Sequence, residues 1–116
     1  MRFKVHRSGL QTHIQDQPRD GFAHYGISPS GPADIIAYHY GNYLVHNKIN
    51  TASLEIALFG PKIEFLDAGY IAITGSKFLI KINDTDSLYN RPIKVEKGQL
   101  LDIGSAIEGA RCYLSI

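Results

Sequence analysis

The side chains best suited to hold or transform a small polar molecule lie in two short stretches, Gln15-Asp16-Gln17-Pro18-Arg19-Asp20-Gly21 and Ser28-Pro29-Ser30-Gly31. In the first, Asp16 stands three residues ahead of Arg19 with Gln15 beside it. A carboxylate and a guanidinium so spaced in a loop can form a bidentate pair, or can jointly bind a substrate's carboxylate and amide. Arg19 is the strongest anion-binding candidate. The rival reading is that Asp16 and Arg19 lock the loop to itself, with Asp16 capping backbone N–H groups. In the second stretch, Ser28, Ser30 and Gly31 offer hydroxyls and backbone N–H groups ahead of a helix. The positive end of the helix dipole there suits a carboxylate or an enolate-like oxygen. Every capped helix presents the same groups, so capping by Ser30 and nothing more is the favoured reading. It is not a phosphate-binding loop, because no GxxxxGKS/T pattern occurs.

Around these stretches stand polar residues whose role is support. Asn42 and Asn47 lie five apart on a predicted helix and, with Glu55, have the character of hydrogen-bonding struts, while Asp34 falls in the predicted first turn, where the dipole favours a carboxylate. The five histidines, His6, His13, His24, His39 and His46, show no HxH, HExxH or CxxC-type spacing, so no metal site is expected. His24, in the loop, can act as an acid or base near neutral pH, although a solvated histidine satisfies the same position. No Gly-x-Ser-x-Gly elbow exists, and the lone Cys112 in Arg-Cys-Tyr-Leu-Ser-Ile reads as a buried, inert strand thiol. Tyr25, Tyr38, Tyr40 and Tyr43 crowd one region and suit either a core beside a wet pocket or an interface.

These residues need elements to position them. Val5 to Gln15 alternates loosely around Gly9, which predicts two short strands at a sheet edge. Pro18, Gly21, Gly26, Pro29 and Gly31 make residues 16–31 a long irregular loop, and long ordered loops tend to be functional. A helix is predicted from about Pro32 to His46, with Ser30 as N-cap, Pro32 in the first turn and Ala33, Ile36, Ala37, Tyr40 and Leu44 on the buried face. Beyond Asn50, short apolar runs are punctuated by Gly60-Pro61, Asp67-Ala68-Gly69, Gly75-Ser76, Asn83-Asp84, Lys97-Gly98 and Glu108-Gly109. That spacing predicts an antiparallel β unit, so the fold class is α+β, mainly β, with one main helix on a sheet or barrel.

With 116 residues and 44% hydrophobic content, the chain fits one globular domain, residues 1–116, with a narrow margin of stability. Twelve basic residues against eleven acidic ones, none gathered on a stripe, give a net charge of +1 and argue against nucleic acid as a partner. The N-terminus lacks the apolar centre of a signal peptide and no window approaches a membrane span, so a cytoplasmic protein without membrane attachment is expected.

The order Gly9, Gln15-Asp16, Arg19, Gly21, Gly26, Ser30-Gly31, Asp34, Asn42, Asn47 and Leu54-Glu55 resembles the start of the allophanate hydrolase subunit 2 family. That family includes the carboxyltransferase region of urea carboxylase, the C component of bacterial 5-oxoprolinase and the KipA-type partner of the kinase inhibitor KipI. Ile71-Ala72-Ile73-Thr74-Gly75, Gly98-Gln99-Leu100 and Arg111 to Leu114 extend the likeness to essentially the whole chain. The chain departs from the pattern at Gln17-Pro18, where the family has Gly before the Arg; at Pro32, where a small residue is common; and at Gly41 and His46, where it has Ala and Gly.

The resemblance implies a cyclophilin-like β barrel with a flanking helix, equivalent to the first lobe of a two-lobed protein. It implies a carboxyltransferase- or amidohydrolase-like subunit that works with a KipI-like (allophanate hydrolase subunit 1-like) partner, and with a LamB/YcsF-like chain in the 5-oxoprolinase case. The substrate would be 5-oxoproline, opened with ATP hydrolysed elsewhere in the complex, or a urea/allophanate-type molecule. No cofactor is expected on this lobe itself, ATP or biotin entering only through partner subunits or domains, and no biotin-accepting Met-Lys pair occurs. The alternative is a non-catalytic KipA-like module that antagonises a histidine-kinase inhibitor through its Tyr-rich surface. Self-association, one copy replacing the second lobe of another, is a third possibility.

Overall fold

A computed structural model describes residues 1–15 and 32–116; the segment 16–31 is outside the described residues. Ten strands and one helix are present among the described residues. Their chain order is β1 (Phe3–Arg7), β2 (Gln11–Gln15), α1 (Ile35–Leu44), β3 (Ser53–Ala57), β4 (Lys62–Phe65), β5 (Gly69–Gly75), β6 (Phe78–Ile82), β7 (Thr85–Asp86), β8 (Ile93–Val95), β9 (Leu100–Ala106) and β10 (Arg111–Ser115). They form two five-stranded sheets in the orders β1-β4-β9-β6-β7 and β2-β3-β10-β5-β8. Every pairing is antiparallel, so the expected class, mainly β with one helix, is the one found. The two strands expected before the loop take the edge positions, one in each sheet.

Alternation along the strands builds the core. Ile63 and Phe65 of β4, Ile80 of β6 and Leu101 and Ile103 of β9 point one way, and Ile56 of β3, Ile71 and Ile73 of β5 and Cys112 and Leu114 of β10 meet them. These side chains are nearly or fully buried, each contributing about 1.5–3 kcal/mol of transfer free energy for a large aliphatic or aromatic. Cys112 is among them, as expected, and burial pushes its thiol up to about 12. The hairpin from β6 to β7 turns on Asn83 and Asp84, both at positive φ (49° and 63°), the pair that a two-residue turn of primed type requires.

The other face of the second sheet is polar. Ser53 and Glu55 of β3, Tyr113 and Ser115 of β10 and Thr74 of β5 lie there, all buried, and α1 covers the β10 and β5 part of it. This corrects the expected helix face. Ala37, Tyr38, Gly41 and Asn42 are buried, whereas Ile36 is 79% exposed and Tyr40 43%. A helix lying on hydroxyls and a carboxylate buries groups that can bond to them: Thr74 Oγ1 donates to Ala37 O at 2.7 Å, and the Tyr38 ring meets Tyr113 edge-on at 6.4 Å between centroids. Gly41 lets the helix come close, because a Cβ there would run into Ser115 Oγ.

The helix is also shorter than the predicted 32–46. Its N-cap is Asp34, in extended conformation (φ −121°, ψ 92°), with Oδ1 accepting from Ala37 N at 3.1 Å. Pro32 therefore precedes the helix instead of opening it. The cause lies in the sheet: Ala33 N–H and Asp34 N–H donate to Glu55 and Tyr113, which holds the backbone extended there. At the other end the helix stops at Leu44, with Val45 as C-cap. His46 N–H donates to Tyr43 O at 3.2 Å and Asn47 N–H to Asn42 O at 2.9 Å, the paired bonds of a Schellman motif. The left-handed residue of that motif is His46 (φ 60°), outside the helix, so His39 and His46 do not share a helical face. Since this position favours glycine, His46→Gly is expected to raise stability by about 0.5–1 kcal/mol, or a midpoint some 2–5 °C higher in a thermal melt.

Candidate functional site

The chain leaves the described residues at Gln15, the end of β2, and re-enters at Pro32 ahead of α1. What anchors this mouth is Glu55. It is central in β3, with His13 of β2 opposite it on one side and Tyr113 of β10 on the other. Glu55 Oε2 accepts from Tyr113 OH at 2.6 Å and from Ala33 N–H at 2.8 Å. Tyr113 OH in turn accepts from Asp34 N–H at 2.9 Å. Burial first, and the Glu55 carboxylate second, push the Tyr113 phenol well above its ordinary range, so it remains a proton donor at any working pH. Glu55 Oε1 faces Arg111 Nε at 3.8 Å.

A second polar cluster fixes the far end of α1. Asn42, fully buried, donates from Nδ2 to Thr51 O at 2.7 Å and to Ile49 O at 3.3 Å. Its Oδ1 accepts from Asn47 Nδ2 at 3.3 Å, and the same Nδ2 donates to Ile116 O at 2.9 Å. Tyr38 OH adds a bond to Thr51 O at 2.7 Å. Every donor of the Asn42 amide is thus used, as burial demands.

Of the residues singled out in the sequence, Asp34 and Glu55 come together through Tyr113, and Asn42 and Asn47 bond to each other at the opposite end of the helix. Gln15 is half-buried, opposite Ser53. Asp16, Arg19, Ser28, Ser30 and Gly31 lie outside the described residues, as do His24 and Tyr25. Tyr38 belongs to the core, while Tyr40 and Tyr43 stack on each other at the surface, 6.4 Å between centroids. Sequence reasoning passed over Arg111 and Tyr113, whose signal was only their place at the start of the last strand. Ser53 Oγ and Ser115 Oγ are buried and have no hydrogen-bond partner among the described residues. Also among the described residues, no three of His, Cys, Asp and Glu converge as a metal ion requires, and no helix is long and apolar enough to cross a membrane. An apolar recess of about 270 Å³ opens near Phe3, Ile14, Leu54 and Leu114, but no titratable side chain among the described residues lines it. The polar face of β2, β3 and β10 is where the described residues can do chemistry.

The sequence profile described as carboxyltransferase domain, subdomain A and B, matches residues 25–116. The chain belongs to this family. Urea amidolyase of Lachancea kluyveri is 38% identical over 115 residues, which are 98% of this carboxyltransferase-family chain and 6% of that protein. The C component of Escherichia coli 5-oxoprolinase is 34% identical over 113 residues, 97% of this chain and 36% of the relative. Among solved structures, the Kluyveromyces lactis urea carboxylase superposes with a TM-score of 0.95 at 38% identity, covering 98% of this chain and 10% of that one. The family member described here therefore spans a minor part of each of these relatives.

Proposed function

We propose that this carboxyltransferase-family chain is the first lobe of a subunit that, with a KipI-like partner, acts on a small amide or lactam. The substrate is 5-oxoproline, with ATP hydrolysed in another subunit and a LamB/YcsF-like chain completing the complex. The observation that carries this reading is the match, over nearly the whole chain, to proteins named for two small amides, 5-oxoproline and urea. One consideration favours 5-oxoproline: a urea/allophanate-type reaction would need biotin carrier and carboxylase parts, supplied by another chain or another part of this one. In this reading ATP and biotin chemistry stay with partner subunits or domains. Arg19, Gln15 and the Ser28 to Gly31 turn hold the substrate's anionic or carbonyl oxygens, Asp16 orients Arg19, Asp34 and Glu55 hold the chain where it re-enters at Ala33, and Asn42 and Asn47 fix the far end of α1.

Reconstitution with KipI-like and LamB/YcsF-like chains tests it. Glutamate should appear from 5-oxoproline and ATP with wild-type chain and fall at least about tenfold with Arg19→Ala, as loss of a charged substrate contact entails. Absence of turnover in every combination would overturn the enzymatic reading. The exposed Tyr40–Tyr43 stack favours a second one, a KipA-like module that binds an inhibitor of a histidine kinase without chemistry. There, Tyr43→Ala would weaken capture of the partner while no substrate is consumed.

A further inference from the structure

The two oxygens of Glu55 are in different situations. Oε2 is saturated by Tyr113 OH and Ala33 N–H, which fix the plane of the carboxylate. Oε1 has no hydrogen bond among the described residues, and the nearest cation among them, Arg111 Nε, is 3.8 Å away, beyond hydrogen-bonding length. The Glu55 side chain is only 10% exposed, whereas that of Arg111 is 45% exposed, so an oriented acceptor oxygen lies just inside a solvent-facing guanidinium. His13 stands directly opposite Glu55 on β2, and Ser53, two residues along the same face of β3, has a buried hydroxyl with no partner among the described residues. Among the described residues this is a prearranged acceptor beside an exposed, forked anion donor with unused bonding capacity.

We propose that Glu55 Oε1 and Arg111 bind a small ligand in which an amide N–H adjoins a carboxylate, the N–H donating to Oε1 and the carboxylate pairing with the guanidinium. The inference rests on the reading above that the chain handles a small amide or lactam, and it assigns the residues that recognise the N–H and the acid. The 3.8 Å between Oε1 and Nε matches groups separated by a single carbon, as in a cyclic amide bearing its carboxylate next to nitrogen. The arrangement also discriminates. A ring oxygen in place of the N–H would set lone pairs against Oε1, and an acceptor facing an acceptor is penalised beyond the lost bond.

Titration of the ¹⁵N-labelled chain with 5-oxoproline, followed by amide chemical shifts, tests the site. Perturbations are expected at Glu55, Arg111 and His13, with affinity weakened about tenfold by Arg111→Ala and less by Arg111→Lys, the usual scale for a half-exposed charged contact. The lactone analogue, with ring oxygen for N–H, should bind about tenfold more weakly than 5-oxoproline to the wild-type chain. No perturbation up to tens of millimolar, perturbation only elsewhere, or equal affinity for lactam and lactone would overturn the proposal. The lactone comparison needs no variant, so it decides even if Arg111→Ala misfolds. Turnover by the reconstituted complex with KM unchanged in Arg111→Ala would sink this site and leave the proposed function standing. Loss of all turnover with lactam-selective binding intact would do the reverse.

Discussion

Glu55→Ala is expected to unfold about 3 kcal/mol more easily than the wild-type chain, the combined scale of two charge-assisted hydrogen bonds lost and a buried phenol left short of an acceptor. Tyr113, fully buried, would keep only the Asp34 N–H bond, and Ala33 N–H would lose its partner. The loss is limited because a nearly buried carboxylate disappears with its partners. In a thermal melt it amounts to a midpoint lowered by about 10 °C for a chain of this size, and urea unfolding should give the same free energy with an unchanged slope. Glu55→Gln, which keeps an acceptor oxygen for Tyr113 OH, should lose about 1 kcal/mol. Hydrogen exchange adds a local reading: Ala33 and Asp34 amides should lose protection in Glu55→Ala before the rest of the chain. Equal stability of Glu55→Ala and wild type would show that the carboxylate does not anchor the helix entry.

Asn42→Asp changes one heavy atom and should be more damaging still. The amide nitrogen that donates to Thr51 O at 2.7 Å and Ile49 O at 3.3 Å becomes an acceptor facing two acceptors, in a residue with no solvent exposure. At pH 7 the expected loss is about 4 kcal/mol, the range for an unpaired charge forced into a buried polar network. Its pH dependence has a definite sign. Burial and the two carbonyls raise the folded-state pKa of the new carboxyl above its unfolded value, so the folded state binds the proton first and the variant gains stability as pH falls toward the ordinary carboxylate range. A protonated Asp can then donate one bond to Thr51 O and recover part of the loss. Wild type has no ionisable group at this position, so the stability difference between the two proteins, measured at pH 7 and pH 4.5, should shrink on acidification. A constant difference would mean that the damage is steric.

The strands were legible because the turns were. Gly60-Pro61, Asn83-Asp84 and Glu108-Gly109 carry their conformational preference in one or two residues, and they separate the runs that became β3 to β10. The two-residue β7 was not read, since nothing in Thr85–Asp86 distinguishes it from the turn before it. The helix was located, but its face and first turn were misread for one reason. Periodicity finds the stripe that avoids water, and α1 rests instead on Thr74, Tyr113 and Ser115, so a buried Asn and Gly look like solvent positions and Ile36 looks like core. Ser30 and Pro32 form a good start signal locally, but contacts made with Glu55 and Tyr113 from distant strands moved the start to Asp34. Arg111 could not be read as a site residue. One arginine at a strand start acquires meaning only when the β3–β10 register places it beside Glu55.

The buried Cys112 gives this chain an internal clock. It sits on β10 between Arg111 and Tyr113, fully buried, with its thiol held at about 12. A thiol reagent can reach it only when that central strand parts from its neighbours, so the rate of labelling under native conditions reports how often the strand carrying the candidate anion contact opens. A ligand that settles against the outer face of β10 should slow that labelling without touching the sulfur, and a single unmodified cysteine is enough to time it.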